Sequence, residues 1–364
     1  MTAPLARTGR TARMAPPILT LAELRGHLQV AMQVEHATIP PYFTAWLTIK
    51  DGTNYEAAQT IRGVMLEEML HLTLASNLLN AIGGKPSLTH PGFVPRYPHR
   101  LPHSGNQFDV SIERFSPGAL RTFLKIERPE AKGAKPEPGE WHTIGQFYAA
   151  IAGAIDELCD RLGEHRVFCG DKAGQVRPED YYGSGAIVVV TGRDTAHRAI
   201  AEIVEQGEGA HGGIFDGDHS ILGDGEEVAH YYRFMEVLEG RCFTKRDTAR
   251  SGPTGRRLEV DYDAVWPIQA NTHAASHPVG SPARQALDAF RTEYGKLLAS
   301  LEAAFNGERT SLTEGIARMF ALRQQAQALI RTPTGDGRTT LGLDFEPPVS
   351  TRRRKTGPAT RAGS

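Results

Sequence analysis

Apolar residues recur at helical spacing over residues 19–49, LTLAELRGHLQVAMQVEHATIPPYFTAWLTI, where Leu24, Leu28, Ala31 and Val34 or Glu35 fall on one face. Pro40 and Pro41 interrupt that pattern. They remove two backbone donors and are expected to kink or break the helix. KDGTN marks a turn, and residues 55–82 give a second, Leu- and Met-rich helix closed by Gly83, Gly84 and Pro86. Two helices so joined form an antiparallel hairpin. Residues 84–143 lose the periodicity: FDVSIERF alternates like a strand, SPGALRTFLKIE reads as a short helix, and RPEAKGAKPEPGEWH reads as a flexible loop. Helical spacing returns at 144–163, AIVVVTG (186–192) is β-like, and helices follow at 193–209 and 226–240. The stretches 283–305 and 310–331 make a C-terminal helical hairpin. The pattern predicts one mainly α domain over 19–332. Its four bundle helices fall at about 19–49, 55–82, 193–209 and 226–240, with a large irregular insertion at 84–192 that contains short strands and an extra helix.

Composition narrows the partners. The chain of 364 residues has a formal net charge of −1, which gives no reason to expect nucleic acid or an acidic membrane surface as a partner. No window approaches eighteen apolar residues, so no transmembrane helix is expected. The basic, Pro- and Gly-rich ends, residues 1–18 and 333–364, lack the apolar run of a signal peptide and read as extended or disordered tails. Cys159, Cys169 and Cys242 form no CxxC pair and fit free thiols in a reducing cytoplasm. Apolar faces on the C-terminal hairpin would suit a homo-oligomer.

Candidate chemistry comes from a repeated pentad. MLEEMLHLTL (65–74) and GEEVAHYYRF (225–234) each hold Glu-Glu-x-x-His. Three residues turn a helix by roughly 300°, so Glu68 shares a face with His71, and Glu227 with His230. Two helices of this kind, each joined by another that supplies one Glu, make a di-metal carboxylate site. The first extra acid is Glu35, about as far before Gly52 as Glu68 lies after it, so the two meet at one depth of the hairpin. The second comes from EIVEQGEG, where the position of Glu227 near its helix start favours Glu205 or Glu208 over Glu202. Glu205 is taken as the ligand and Glu208 as an extra or switching one. Glu67 and Glu226 read as acceptors for the ligand histidines or as surface charges. Mixed carboxylate and imidazole donors suit two iron ions, or manganese, better than zinc.

The motifs QVEHATIPPYFTAW, EEMLHLTLASNLLNAIGGKP, TIGQFYAAI, IVEQGEG and EVAHYYRFMEV occur in this order. In that order they resemble the ferritin-like domain of the iminophenylpyruvate dimer synthases, enzymes of violacein- and rebeccamycin-type bisindole biosynthesis. Those synthases are much longer chains with additional domains. The resemblance covers roughly residues 19–243, with LGLDFEP near the end also similar. It implies a ferritin-like four-helix bundle, a di-metal site and an oxidative role in secondary metabolism. Carried over by position, it implies the ligands Glu35, Glu68, His71, Glu205, Glu227 and His230, with Glu208 beside them. The expected activity is that of an O2-activating diiron oxidase or oxygenase on a small, amino-acid-derived molecule. Iron storage and non-oxidative dinuclear metal chemistry are the competing readings. A helix broken at Pro40–Pro41 would either open a gap for substrate or O2 beside Glu35 or be a packing kink.

Overall fold

The computed structural model describes residues 18–102, 108–130, 141–181, 185–210, 213–219 and 226–348. The tail expected at the start lies outside them except for Ile18, as do residues 349–364 at the end.

Helix α1 (Leu21–Thr48) begins at a reciprocal cap: the Glu23 amide donates to the Thr20 hydroxyl over 3.1 Å, and the Thr20 amide donates to the Glu23 carboxylate over 2.9 Å. Of the expected kink or break, a break is ruled out: the helix continues through both prolines as a single element. Proline cannot donate to the carbonyl four residues back, which frees the carbonyls of His36 and Ala37. Tyr97, from the insertion, fills part of that gap by donating its hydroxyl to the Ala37 carbonyl over 2.9 Å. The proline pair is thus packed over by the insertion rather than opened beside Glu35. Helix α2 (Tyr55–Ala81) runs back along α1, and both helices bury most of their length. The end of α2 is clamped by the loop that carries Gly170, whose amide donates to the Ala81 carbonyl over 3.0 Å. A Cβ there would lie 1.7 Å from the Asn80 carbonyl oxygen, so only glycine permits this approach.

Two helix pairs pack on this hairpin. In one, α3 (Pro117–Ile126) lies against α7 (His230–Glu239). In the other, α4 (Ile144–Leu162), which leads into the single turn α5 (Glu164–Val167), lies against α6 (Arg193–Glu208). Ser116 caps α3 and Thr143 caps α4 through their hydroxyls. The hairpin α8 (Pro282–Phe305) and α9 (Thr310–Ile330) closes the remaining side.

Three local expectations change. The sequence 226–240 does not form one helix: residues 226–228 form strand β2, antiparallel to β1 (Phe215–His219), and α7 starts only at His230. The runs 108–115 and 186–192 lie in no strand. The backbone of the second is instead served by side chains, with Gln175 donating to and accepting from Val190 over 2.8 and 2.7 Å and Asn77 donating to the Val188 carbonyl over 3.1 Å. Residues 340–346, expected as tail, form an extended strap packed into the core. There Phe345 meets Phe43, Tyr294 and Phe290 at ring-centroid distances of 6.2, 5.1 and 5.3 Å. Among the described residues no helix is long and apolar enough to cross a membrane.

Replacing Tyr97 by Phe leaves a buried carbonyl without its donor. Urea unfolding is expected to show a loss of about 1–3 kcal/mol. Unchanged stability would mean that the freed Ala37 carbonyl is satisfied elsewhere.

Candidate metal centre

Glu35 sits midway along α1, and Glu68 and His71 sit one turn apart on α2. Their helices cross so that His71 Nδ1 lies 3.5 Å from Glu68 Oε1 and 3.8 Å from Glu35 Oε2. His230, the first residue of α7, brings its Nδ1 to 3.0 Å from Glu68 Oε1. Its ring stacks 5.3 Å from that of His71. A fifth residue completes the group. Glu127, which caps the C-terminus of α3, places Oε2 at 3.6 Å from His230 Nδ1. All five are at most 4% exposed.

The outward-facing atoms of these side chains are fixed. His71 Nε2 lies 2.9 Å from Gln206 Oε1, and the Gln206 amide nitrogen is turned to Glu202 Oε1 at 3.2 Å, which leaves its oxygen to accept from the imidazole. His230 Nε2 donates to Glu67 Oε2 over 2.7 Å. Glu67 in turn receives Arg233 at 3.0 and 2.9 Å, and Arg233 also pairs with Asp216 at 2.7 Å and Glu227 at 3.2 Å. Tyr148 donates to Glu35 over 2.5 Å and Tyr42 donates to Glu127. The Thr38 hydroxyl lies 2.8 Å from Glu68 Oε2.

This orientation aims both Nδ1 atoms at carboxylate oxygens. His230 Nδ1 is buried without a hydrogen-bond partner, although two carboxylates stand near it. Three carboxylates and two imidazoles gathered together, the imidazoles held on their far edges by acceptors and the carboxylates by hydroxyl donors, fit a metal-binding donor set. Glu68, His71 and His230 alone offer ligand atoms within 4.8 Å of one another.

The sequence-derived acids divide. Glu35, Glu68, His71 and His230 are brought together. Glu205 is not: it is half-buried on α6, and Gln206, one residue on and so turned about 100° away, is the residue that faces α2. Glu208 lines the cavity beside the cluster, but its carboxylate accepts the amides of Gly145 and Glu130, each over 2.9 Å. Glu227 stands on β2 and faces Arg233, because the pentad that would have made it a helical neighbour of His230 is split between strand and helix. Glu67 of the first pentad serves His230 of the second. Glu127 was missed, although it continues the buried stripe Leu120, Phe123, Ile126 at helical spacing.

Without a metal, the acids share protons. Burial, reinforced by the charge of Glu68, pushes Glu35 up to about 8, and burial with the same neighbour raises Glu127. Burial works against the charged form of His230, but Glu127, Glu67 and Glu68 around it outweigh that and hold it well above its ordinary value. Glu68 also feels burial, yet contact with His230 and His71 holds it well below the usual carboxylate range.

Between about pH 4.5 and 8 the folded, metal-free chain therefore retains protons on Glu35 that the unfolded chain has lost. Stability from this group is present at low pH and falls as pH rises through that window. Thermal unfolding of metal-free protein is expected to show Tm decreasing from pH 5 to pH 8, with a shallower slope in Glu35→Gln. An identical slope in the variant would overturn this assignment.

Comparison with known proteins agrees with the helical fold. The chain is 26% identical over 328 residues to the dichlorochromopyrrolate synthase of Lentzea aerocolonigenes, an alignment that covers 79% of this chain and 29% of that protein. The chain thus spans under a third of the length of that curated relative. The crystal structure of a ferritin-like protein from Caulobacter vibrioides superposes with a TM-score of 0.63 at 21% identity, over 90% of this chain and all of that one. The ferritin-like family model matches residues 28–239, more than half of the sequence, and the chain therefore belongs to the ferritin-like family.

Proposed function

We propose that the protein is an O2-activating dinuclear iron oxidase or oxygenase acting on a small organic molecule in secondary metabolism. The observation that carries this reading is the adjacency of two cavities. One is lined by Glu35, Glu68, His71, Glu127 and Glu208. The other, a partly open apolar pocket, is lined by Val34, Leu101, Trp141, Thr143 and Phe147, and Ile126 and Ile144 form a wall of both. A centre that only stored metal would have no use for an apolar chamber at its side. The name of the Lentzea relative, a synthase, supports an enzymatic role in biosynthesis.

Glu35, Glu68, His71, Glu127 and His230 would hold the pair of metals, with manganese as the alternative to iron. An iron pair bound by these residues would supply the electrons for O2 reduction. The chain's own residues do the rest. Gln206 and Glu67 keep the two imidazoles in the tautomer that presents Nδ1. Tyr148 and Tyr42 hold Glu35 and Glu127 by single hydrogen bonds, which leaves each carboxylate a second oxygen free to change its mode of binding. Burial excludes water, and Ile126 and Ile144 set how closely a substrate held against Trp141 and Phe147 approaches.

Protein purified without O2 and loaded with Fe2+ is expected to bind about two iron ions per chain. On exposure to O2 it should develop a ferric charge-transfer band, and His71→Ala should lose both iron and band. Absence of bound iron in the parent, or iron content indifferent to His71→Ala, would contradict the reading. Accumulation of many irons per chain would replace it by storage.

A further inference from the structure

A second set of donors converges away from that centre, where the strap at 340–346 crosses the turn at 271–274. His273, Asp344 and Glu346 offer ligand atoms that all lie within 4.8 Å of one another. They line a small, partly open cavity together with Tyr97, Asn271 and Arg96. Asp344 is buried and engaged: it accepts the Ala274 amide over 2.8 Å and the Glu346 amide over 3.1 Å, and Arg291 Nε stands 3.4 Å away. The other two donors are uncommitted. His273 Nδ1 is buried and has no hydrogen-bond partner. Among the described residues, no hydrogen bond or ion pair engages the Glu346 carboxylate; only the Glu346 backbone is used, by Asp344 and Arg291.

A buried ring nitrogen without a partner costs free energy, and so does a half-buried carboxylate held beside another. Arg291 offsets part of the charge of Asp344 but donates to the Glu346 carbonyl, not to its carboxylate. One occupant answers both open groups. We propose that the cavity binds a single divalent first-row cation through His273, Asp344 and Glu346. One nitrogen and two carboxylate donors match Mn2+, Fe2+ or Zn2+ better than Ca2+ or Mg2+, which favour oxygen alone. The cation ties the strap to the turn beneath it. It thereby braces Phe345, which packs against Phe43 of α1, and Tyr97, which covers the proline pair. No residue is shared with the buried dinuclear centre, so the two assignments stand or fall separately.

The test is equilibrium dialysis of metal-free full-length protein against Mn2+, beside His273→Ala and Glu346→Gln. Both side chains are only partly buried, and unfolding curves without metal serve to confirm that the variants are folded. Each variant is expected to bind about one Mn2+ fewer per chain than the parent, or to bind that ion at least about tenfold more weakly. Each should also lose part of the Mn2+-induced rise in Tm. The expected loss of one ion holds whether the buried centre takes two ions or none. If stoichiometry, affinity and the Tm rise are unchanged in both folded variants, the cation site is overturned. The open donors would then face water or the Arg96 guanidinium.

Discussion

Three carboxylates and two imidazoles are buried together between helices, and the repulsion among the acids is the constraint that the surrounding structure answers. Two carboxylates about 4 Å apart repel by about 4 kcal/mol even at an effective dielectric near 20. A hydrogen bond to a charged group returns about 1.5–3 kcal/mol. Burial adds a desolvation cost of several kcal/mol for each charge, so the bonds from Tyr148, Tyr42 and Thr38 do not suffice by themselves and positive charge is needed. In the metal-free chain it comes from protons held on Glu35 and His230. A pair of cations bound there would replace those protons, and would so couple metal affinity to pH and to folding.

The scaffold is arranged around this need. Helix α1 carries Glu35 five residues before Pro40, and the insertion covers the freed Ala37 carbonyl with Tyr97. The β-ribbon looks peripheral, yet Asp216 and Glu227 on it hold Arg233, Arg233 holds Glu67, and Glu67 sets the tautomer of His230. Removing one member of such a buried ionic chain exposes the next to an unpaired charge. The insertion thus contributes both a ligand candidate, Glu127, and the walls of the apolar chamber.

Much of this was legible in the sequence. Helical periodicity and the depth match across KDGTN located Glu35, Glu68 and His71, because in a hairpin with a short turn sequence distance maps directly onto height. His230 was legible from its pentad, but Glu227 was not placed correctly, because pairing with β1 delays the start of α7 to His230. Glu127 escaped because its ten-residue helix lies inside the irregular insertion and not among the four expected bundle helices, although its buried stripe ends on that acid. The strap at 340–346 was lost among Pro, Gly and Arg, although Leu341, Leu343 and Phe345 alternate and LGLDFEP also resembles the family.

The central claim is that the third carboxylate of the centre comes from the end of α3 and not from α6. The most direct measurement compares the iron content of Glu127→Gln with that of Glu205→Gln, two near-isosteric changes. Glu127→Gln is expected to lose iron or bind it far more weakly, while Glu205→Gln keeps the parent's content. Iron loss in Glu205→Gln with full retention in Glu127→Gln would contradict it.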